Sequence, residues 1–214
     1  MIIDAHTHIL PEEIIRNKDR YAKIDSTFSE LFHGDECEFS TCDQLVQNME
    51  NFGVSKSIIL GMGWTNPGLN RYINEYLLDS SRRYPEQLIP FTGIIPSFSK
   101  RNLKEVERCL NDGAKGFGEI HATQQKIDIT DVKLMAPYMN LLMERGLPIT
   151  IHCSEPVGHL YPGKGTTTPD LLEIFVRNFP ENKIVMAHWG GGLPFFELMP
   201  EIKFLFQNVY YDTA

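Results

Sequence analysis

Short apolar runs alternate with amphipathic segments along most of the chain. The runs have the length and β-branched content of strands buried on both faces, and the segments between them carry apolar residues at helical spacing. This alternation predicts a parallel sheet with right-handed crossover connections. The predicted strands lie within residues 1–10, 55–61, 88–95, 114–120, 147–153, 183–189 and 209–214.

Local capping signals mark where the predicted helices begin and end. Polar N-cap residues, prolines at the first helical position and glycines just past the last turn are the typical signals. Predicted helix starts are Thr41 (with Gln44 at capping-box spacing), Asn66-Pro67, Thr130 and Thr168-Pro169, and predicted ends include Gly53 and Gly146.

Two stretches give weaker patterns. Residues 11–40 are predicted to be loop-like apart from one short helix over residues 12–16. Residues 193–206 predict one helix, bent at Pro200. Its phenylalanines, Phe195, Phe196, Phe204 and Phe206, are expected to pack between this helix and the sheet.

Seven strand and helix repeats near 30 residues each fit either an open doubly wound sheet or a closed (β/α)₈ barrel. The chain has no glycine-rich nucleotide-binding motif, which leaves the nucleotide-binding open sheet without support. We therefore predict an α/β protein with a (β/α)₈ TIM barrel in a single domain over residues 1–214. A complete barrel has eight strands and about 250 residues, so the sequence is expected to be truncated after strand seven.

Histidines stand at the ends of three predicted strands. His6 and His8 follow the first apolar run and would share one strand face, about 6–7 Å apart. His152 ends strand five and His188 ends strand six. An isolated pair such as His6 and His8 could be two surface residues. In a barrel, however, all strand ends meet at one mouth, and this joint pattern predicts a metal site there.

Glu119 ends strand four and would join these histidines. It could ligate or bridge metal ions, bind substrate, or pair with a cation such as Lys164, and His121 on the same face could serve instead. Trp64, after strand two, could be an apolar wall of the substrate site or simple packing. The loop after strand five offers polar side chains for a polar or anionic substrate, unless it is an ordinary surface loop. Those side chains are Glu155, His159, Tyr161 and Lys164.

These motifs resemble the amidohydrolase superfamily. The D-x-H-x-H first strand, the histidines that end strands five and six, and the A-H-W-G-G-G turn carry the resemblance. The branch indicated is the amidohydrolase-related group, which contains metal-dependent hydrolases and decarboxylases related to aminocarboxymuconate semialdehyde decarboxylase. The resemblance implies that His6, His8 and His152 are zinc ligands. It also implies that His188 is either a second-metal ligand or the catalytic residue that orients the reactive water.

The family carries an aspartate at the end of strand eight, and no residue here matches it. Asp212 lies on strand seven instead. We expect the natural chain to continue beyond this sequence, with a catalytically inactive metal-binding barrel as the alternative.

The expected function is that of a metal-dependent hydrolase, in which zinc-activated water attacks a small-molecule carbonyl. The alternative is a metal-dependent decarboxylase of an aromatic or unsaturated acid. One ion is favoured over two because strand four has no bridging lysine near its C-terminal end, Lys115 being too far away. Zn²⁺ is expected, although another divalent metal could replace it.

The composition narrows the possible partners. A net charge of −8 without an offsetting Lys/Arg cluster argues against nucleic acid as a partner. Four cysteines without a C-x-x-C pair, Cys37, Cys42, Cys109 and Cys153, indicate reduced thiols. No signal peptide or membrane span is recognisable, so we expect a cytoplasmic protein with a small-molecule substrate and no membrane contact. The substrate and the oligomeric state stay open, a homo-oligomer included.

Overall fold

The fold is built on one sheet of seven parallel strands in sequential order. The computed structural model describes residues 1–32, 34 and 38–214. Each strand pairs only with its sequence neighbours, as expected when every connection crosses over on the same side. The strands are β1 Ile3–Thr7, β2 Lys56–Leu60, β3 Leu88–Thr92, β4 Gly116–Ile120, β5 Ile149–Ile151, β6 Ile184–Met186 and β7 Val209–Tyr211.

The sheet curls instead of lying flat. Six strand spacings would separate β1 from β7 by about 29 Å in a flat sheet. Yet His6 Nδ1, on β1, lies 2.7 Å from Asp212 Oδ2, just after β7. This contact brings the two outer strands together, as in a barrel. The expected (β/α)₈ barrel class is therefore confirmed, with seven of its strands in this sequence.

Helices follow every strand up to β6. The capping signals mark several of them correctly: Thr41 and Gln44 form the reciprocal capping box of α4, and Asn66 caps α5. The helices are α1 Glu12–Arg16, α2 Lys18–Ala22, α3 Ser26–Phe32, α4 Cys42–Phe52, α5 Pro67–Arg83, α6 Lys100–Asn111, α7 Ala122–Gln125, α8 Val132–Arg145, α9 Pro169–Asn178 and α10 Pro200–Leu205. None of the helices in the described ranges is both long and apolar enough to cross a membrane.

The structure corrects three details of the predicted helices. Residues 11–40 contain α2 and α3 as well as the expected α1. The N-cap of α8 is Asp131, not Thr130, because the Asp131 carboxylate accepts hydrogen bonds from the first-turn N–H groups. The single bent helix over residues 193–206 is instead a 3₁₀ segment over His188–Leu198 followed by α10, with extended Met199 between them.

The phenylalanine run packs differently from the prediction. Phe206 is buried at 3 % exposure, but Phe195 and Phe204 are 81 % and 77 % exposed. The two short segments turn only a few side chains inward, whereas one long helix would have buried a continuous stripe. The expectation that all four phenylalanines fill a helix-to-sheet interface is therefore wrong.

The cysteines within the described ranges are free and buried. They are Cys42, Cys109 and Cys153, and none forms a disulfide. The Cys153 thiol donates to the Ile151 carbonyl at 3.2 Å and so serves local packing. The prediction for Cys37 lies outside the described residues.

Candidate metal centre

Four imidazoles and one carboxylate converge where β1, β4, β5 and β6 end. His6 Nε2 lies 3.0 Å from His8 Nε2, and His188 Nε2 lies 3.1 Å from His152 Nδ1. Two ring nitrogens at that distance can share only one proton, so each pair presents lone pairs to the same space. The structure thus brings together the four histidines that the strand-end pattern named.

Glu119 lies between the two histidine pairs. Its Oε2 is 3.5 Å from Nε2 of both His6 and His8. Its Oε1 is 2.9 Å from His152 Nδ1 and 3.4 Å from His188 Nε2. One buried carboxylate therefore belongs to two potential ligand groups, His6–His8–Glu119 and Glu119–His152–His188.

The spacing of these donors suits a divalent cation. Four ligands at 2.0–2.1 Å around zinc would lie about 3.3–3.4 Å from one another in a regular tetrahedron. The donor pairs described above are 2.9 to 3.5 Å apart. Imidazole nitrogens with one carboxylate oxygen are also the donor types that zinc and similar divalent ions take. The residues present fit a metal ion.

Outer hydrogen bonds fix the orientation of three of the imidazoles. Nδ1 of His6 donates to Asp212 Oδ2 at 2.7 Å, and Nδ1 of His188 donates to the Ala214 carbonyl at 2.9 Å. Nδ1 of His8 donates to the Leu60 carbonyl at 3.2 Å. In this tautomer each Nε2 keeps its lone pair directed at the centre. Such outer-shell anchoring is typical of metal-ligating histidines.

The ionisation of the cluster follows from burial and close opposite charges. Burial lowers the pKa of His6, but the hydrogen bond to Asp212 and the neighbouring Glu119 outweigh it and raise that pKa to about 10. Burial likewise opposes ionisation of Glu119, yet His152, His188 and His6 hold its pKa well below the usual range. The buried carboxylate is thus anionic. Without a metal ion the proton on His6 balances it, and a bound cation would replace that proton and use the Nε2 lone pair.

Asp212 is a site residue that the sequence analysis set aside. It does not match the strand-eight aspartate of the family, but its Oδ2 anchors His6 and its Oδ1 accepts the backbone N–H of His188 at 2.9 Å. Its position at the end of β7 is the same strand-end signal that identified the histidines. Asp212 positions two imidazoles of the cluster without facing its centre.

His121 does not take the place of Glu119. Its ring stacks on His152 with centroids 4.0 Å apart, and its Nε2 donates to the Gly163 carbonyl at 3.0 Å. Burial and the neighbouring His152 lower the pKa of His121 to about 4, which keeps the ring neutral. His121 thereby connects the centre to the loop after β5.

That loop, residues 154–165, is held together by its own polar side chains. Lys164 Nζ contacts Glu155 Oε1 at 3.0 Å and donates to the Val157 and His159 carbonyls. Tyr161 donates to the second Glu155 oxygen at 2.9 Å. Lys164 therefore pairs with Glu155, and the alternative Lys164–Glu119 pair is not formed.

Trp64 is packed in the core. It is 1 % exposed and its ring lies 6.0 Å from that of Phe28 and 5.7 Å from that of Phe32. Trp64 therefore packs among core aromatic residues, which is one of its two expected roles. A contact between Trp64 and substrate stays a prediction.

The A-H-W-G-G-G turn after β6 places His188 through an unusual backbone. Trp189 and Gly190 to Gly192 all have left-handed φ values. A side chain at Gly191 would put its Cβ only 2.4 Å from the Ser154 carbonyl oxygen. The turn therefore needs glycine at position 191 to pack against the start of the loop after β5.

Comparisons with known proteins identify the family and the fold. The sequence model of a family described as amidohydrolase matches residues 3–214. No curated protein matches the chain. Among solved structures, the fold resembles enzymes whose sequences are 16 to 20 % identical to it.

Three of these structures illustrate the likeness. A 5-carboxyvanillate decarboxylase from Novosphingobium aromaticivorans, in complex with manganese and a nitrobenzoic acid, has a TM-score of 0.71 at 20 % identity, over 97 % of this chain and 70 % of that one. The enzyme of the same name from Sphingomonas paucimobilis has a TM-score of 0.67 at 16 % identity, over 99 % and 80 %. A 4-oxalomesaconate hydratase from Rhodopseudomonas palustris has a TM-score of 0.65 at 19 % identity, over 100 % and 74 %.

Proposed function

This chain belongs to the amidohydrolase family, and we propose that it is a zinc-dependent hydrolase acting on a carbonyl group of a small molecule. The convergence of four imidazoles on the buried Glu119 carboxylate supports this proposal most directly. Without a metal ion, protonated imidazoles must balance the buried carboxylate, and a bound cation would replace those protons.

His6, His8 and His152 would hold the ion, with Glu119 beside them. Before the ion binds, His152 groups with Glu119 and His188 and not with His6 and His8, so His152 would have to turn toward the ion. A bound divalent cation supplies Lewis acidity, which polarises a substrate oxygen and makes water more acidic. We propose one ion. Because Glu119 lies in both donor groups, a second ion that Glu119, His152 and His188 would hold is the alternative.

His188 would orient the attacking water and hold a proton at Nε2. Its side chain is 34 % exposed, against 7 % for His6 and 1 % for Glu119. It is therefore the imidazole most accessible to a ligand entering the mouth. The hydrogen bond from His188 Nδ1 to the Ala214 carbonyl keeps Nε2 directed inward.

The loop after β5 would contact the substrate. Glu155, His159, Tyr161 and Lys164 all belong to it, and mouth loops commonly determine specificity in barrel enzymes. The Lys164 ammonium already has three oxygen partners. A substrate carboxylate would have to displace one of them, whereas the exposed His159 ring is free to meet a substrate directly.

A second candidate is non-oxidative decarboxylation of an aromatic or unsaturated acid. Two of the structures that resemble this chain are decarboxylases by name, which supports considering the reaction here. In that case His188 would deliver a proton to carbon in place of orienting water. A catalytically inactive barrel is the third alternative.

The two reactions incorporate different isotopes from labelled water into their products. Hydrolysis in H₂¹⁸O places one heavy oxygen in the acid product, whereas decarboxylation in D₂O releases carbon dioxide and places one deuteron on carbon. We would assay the zinc- and manganese-loaded protein against panels of lactones, amides and hydroxybenzoic acids. We expect ¹⁸O incorporation that is lost in His188→Asn. Deuterium incorporation without ¹⁸O would support the decarboxylase, and no turnover with any panel would support the inactive barrel.

We further propose a cytoplasmic setting, with a small molecule and neither nucleic acid nor membrane as the partner. The net charge of −8 supports the exclusion of nucleic acid.

A further inference from the structure

A cavity lies apart from the metal centre, among the helices on the outer side of the sheet. It has a volume of about 420 Å³ and lies between α5, the segment that follows β3 and the first turns of α6. None of the five cluster residues lines it. Its size falls within the range of small-molecule sites in proteins.

Basic residues concentrate around this cavity. Five of the chain's 20 Lys and Arg residues line it, with one acidic residue, Glu105, although the protein as a whole carries a net charge of −8. The expectation that no basic cluster exists is therefore wrong, since four of these residues stand on α6 within nine positions and α5 adds a fifth. The five are Arg71, Lys100, Arg101, Lys104 and Arg108.

Two of the five are engaged in ion pairs. Arg108 contacts Glu105 at 2.6 Å and Asp112 at 2.7 Å, and Arg71 contacts Glu75 at 2.9 Å. Lys100, Arg101 and Lys104 form no ion pair within residues 1–32, 34 and 38–214. Three cations at the rim are therefore free to meet a negatively charged ligand.

A buried amide in the wall of the cavity lacks a partner. Asn70 is 3 % exposed, and its Oδ1 is buried without a hydrogen bond to any described residue. By contrast, the neighbouring Asn74 exchanges hydrogen bonds with the Gly93 backbone at 2.8 and 3.0 Å. The Oδ1 atom is inaccessible from the cavity and lies against Gly93, so only the other atoms of Asn70 contribute to the wall.

The start of α6 adds to the attraction for anions. This 12-residue helix begins at Lys100, and its first turns line the cavity. The N-terminus of a helix carries partial positive charge. This partial charge adds to the positive charge of the lysines and arginine around it.

We propose that this cavity binds a small phosphate-bearing molecule, with the phosphate at Lys100, Arg101 and Lys104. Phosphate suits the cations because its several oxygens accept charge-assisted hydrogen bonds from lysine and arginine. The site is independent of the reaction catalysed at the metal centre.

Inorganic phosphate is the simplest probe, because at pH 8 it is mainly a dianion whose oxygens can accept hydrogen bonds from the three cations. We would measure its binding to the metal-loaded protein by isothermal titration calorimetry at low ionic strength. The test variant is Lys100→Gln with Lys104→Gln, both at exposed positions. The charge-matched control is Lys115→Gln with Lys203→Gln, also exposed and outside the cavity.

We expect saturable binding that weakens about tenfold or more in the test variant and is unchanged in the control. Equal affinity in both lysine variants, or no saturation up to about 10 mM phosphate, would contradict the site.

Discussion

At the scale of single residues, the centre depends on side chains that never face its interior. Asp212 anchors His6 at 2.7 Å and the His188 backbone at 2.9 Å. Removing an outer-shell partner commonly weakens metal binding 10- to 100-fold. Asp212 should therefore matter nearly as much as a direct ligand.

Asp212→Asn should weaken zinc binding by about 10- to 100-fold while leaving the fold intact, because the imidazole keeps its place but loses an anionic acceptor. Competition with a chromophoric chelator measures the affinity, and circular dichroism verifies the fold. Asp170→Asn, at an exposed position outside the cluster, is the matched control. Equal affinities for the two variants would show that Asp212 does not support the centre.

Glu119→Gln distinguishes one ion from two. If one ion is held by the three histidines, the variant should still bind about one equivalent of zinc, although more weakly. If Glu119 bridges two ions, the variant should lose the second equivalent that the wild type takes up, because a neutral amide cannot offset two dipositive charges. Zinc titration of the metal-free protein followed by elemental analysis provides the count. A second equivalent in the wild type that disappears in the variant would overturn the single-ion proposal.

The buried thiols should be unreactive. Burial is the main cause that raises the pKa of Cys109 to about 12, and it raises the pKa of Cys153 and Cys42 as well. At pH 8 these groups are protonated, so iodoacetamide should label Cys109 about a hundredfold or more slowly than glutathione. Peptide-resolved mass spectrometry measures the rates, with urea-unfolded protein as the reference for full reactivity. Rapid labelling of Cys109 in the folded protein would contradict its burial.

At the scale of elements, the sequence predicts the repeating strands and long helices but not the short helices or the irregular turn after β6. All seven strands and the longer helices follow from apolar periodicity and capping residues such as Thr41 and Asn66. The helices α2 and α3 are not predicted, because five to seven residues rarely show a clear helical period, although the equally short α1 is expected. The 3₁₀ segment after β6 is not predicted either, because its left-handed glycines form a turn that leaves no trace in the apolar pattern.

Gly191→Ala tests the turn that carries His188. The substitution adds a Cβ 2.4 Å from the Ser154 oxygen at a residue with φ of +62°. Gly53→Ala is the control, since φ there is +69° but no atom lies within 4 Å of the added Cβ. The control should lose about 1–2 kcal/mol of unfolding free energy from strain alone, and Gly191→Ala should lose more. Urea denaturation provides both values, and equal losses would show that the turn does not pack against the loop after β5.

At the scale of the whole molecule, the curl of the sheet assembles the centre. His6 and Glu119 stand 113 positions apart in sequence and His6 and Asp212 more than 200, yet they share one cluster. The sequence predicts this convergence for His6, His8, Glu119, His152 and His188, because parallel strand ends meet at one mouth. It does not predict that Asp212 reaches back to β1, since that contact depends on how tightly the sheet curls.

The cavity beside α6 shows the same limit. Four of its five basic residues lie within residues 100–108 of α6 and can be seen in the sequence, and the packing of α5 against α6 adds Arg71. The sequence does not show the cavity itself, which forms only where the two helices meet. Sites made between helices therefore need the fold before they can be recognised.

The central claim, a divalent-metal centre built on strand-end histidines, is tested most directly by zinc content in one ligand variant. Metal-free wild type and His159→Ala, whose exposed histidine lies outside the cluster, should each take up at least one tightly bound equivalent of zinc. His152→Ala should take up far less, with unchanged far-UV circular dichroism, because one coordination bond is lost. A full tightly held equivalent in His152→Ala, measured by elemental analysis after gel filtration, would contradict the account.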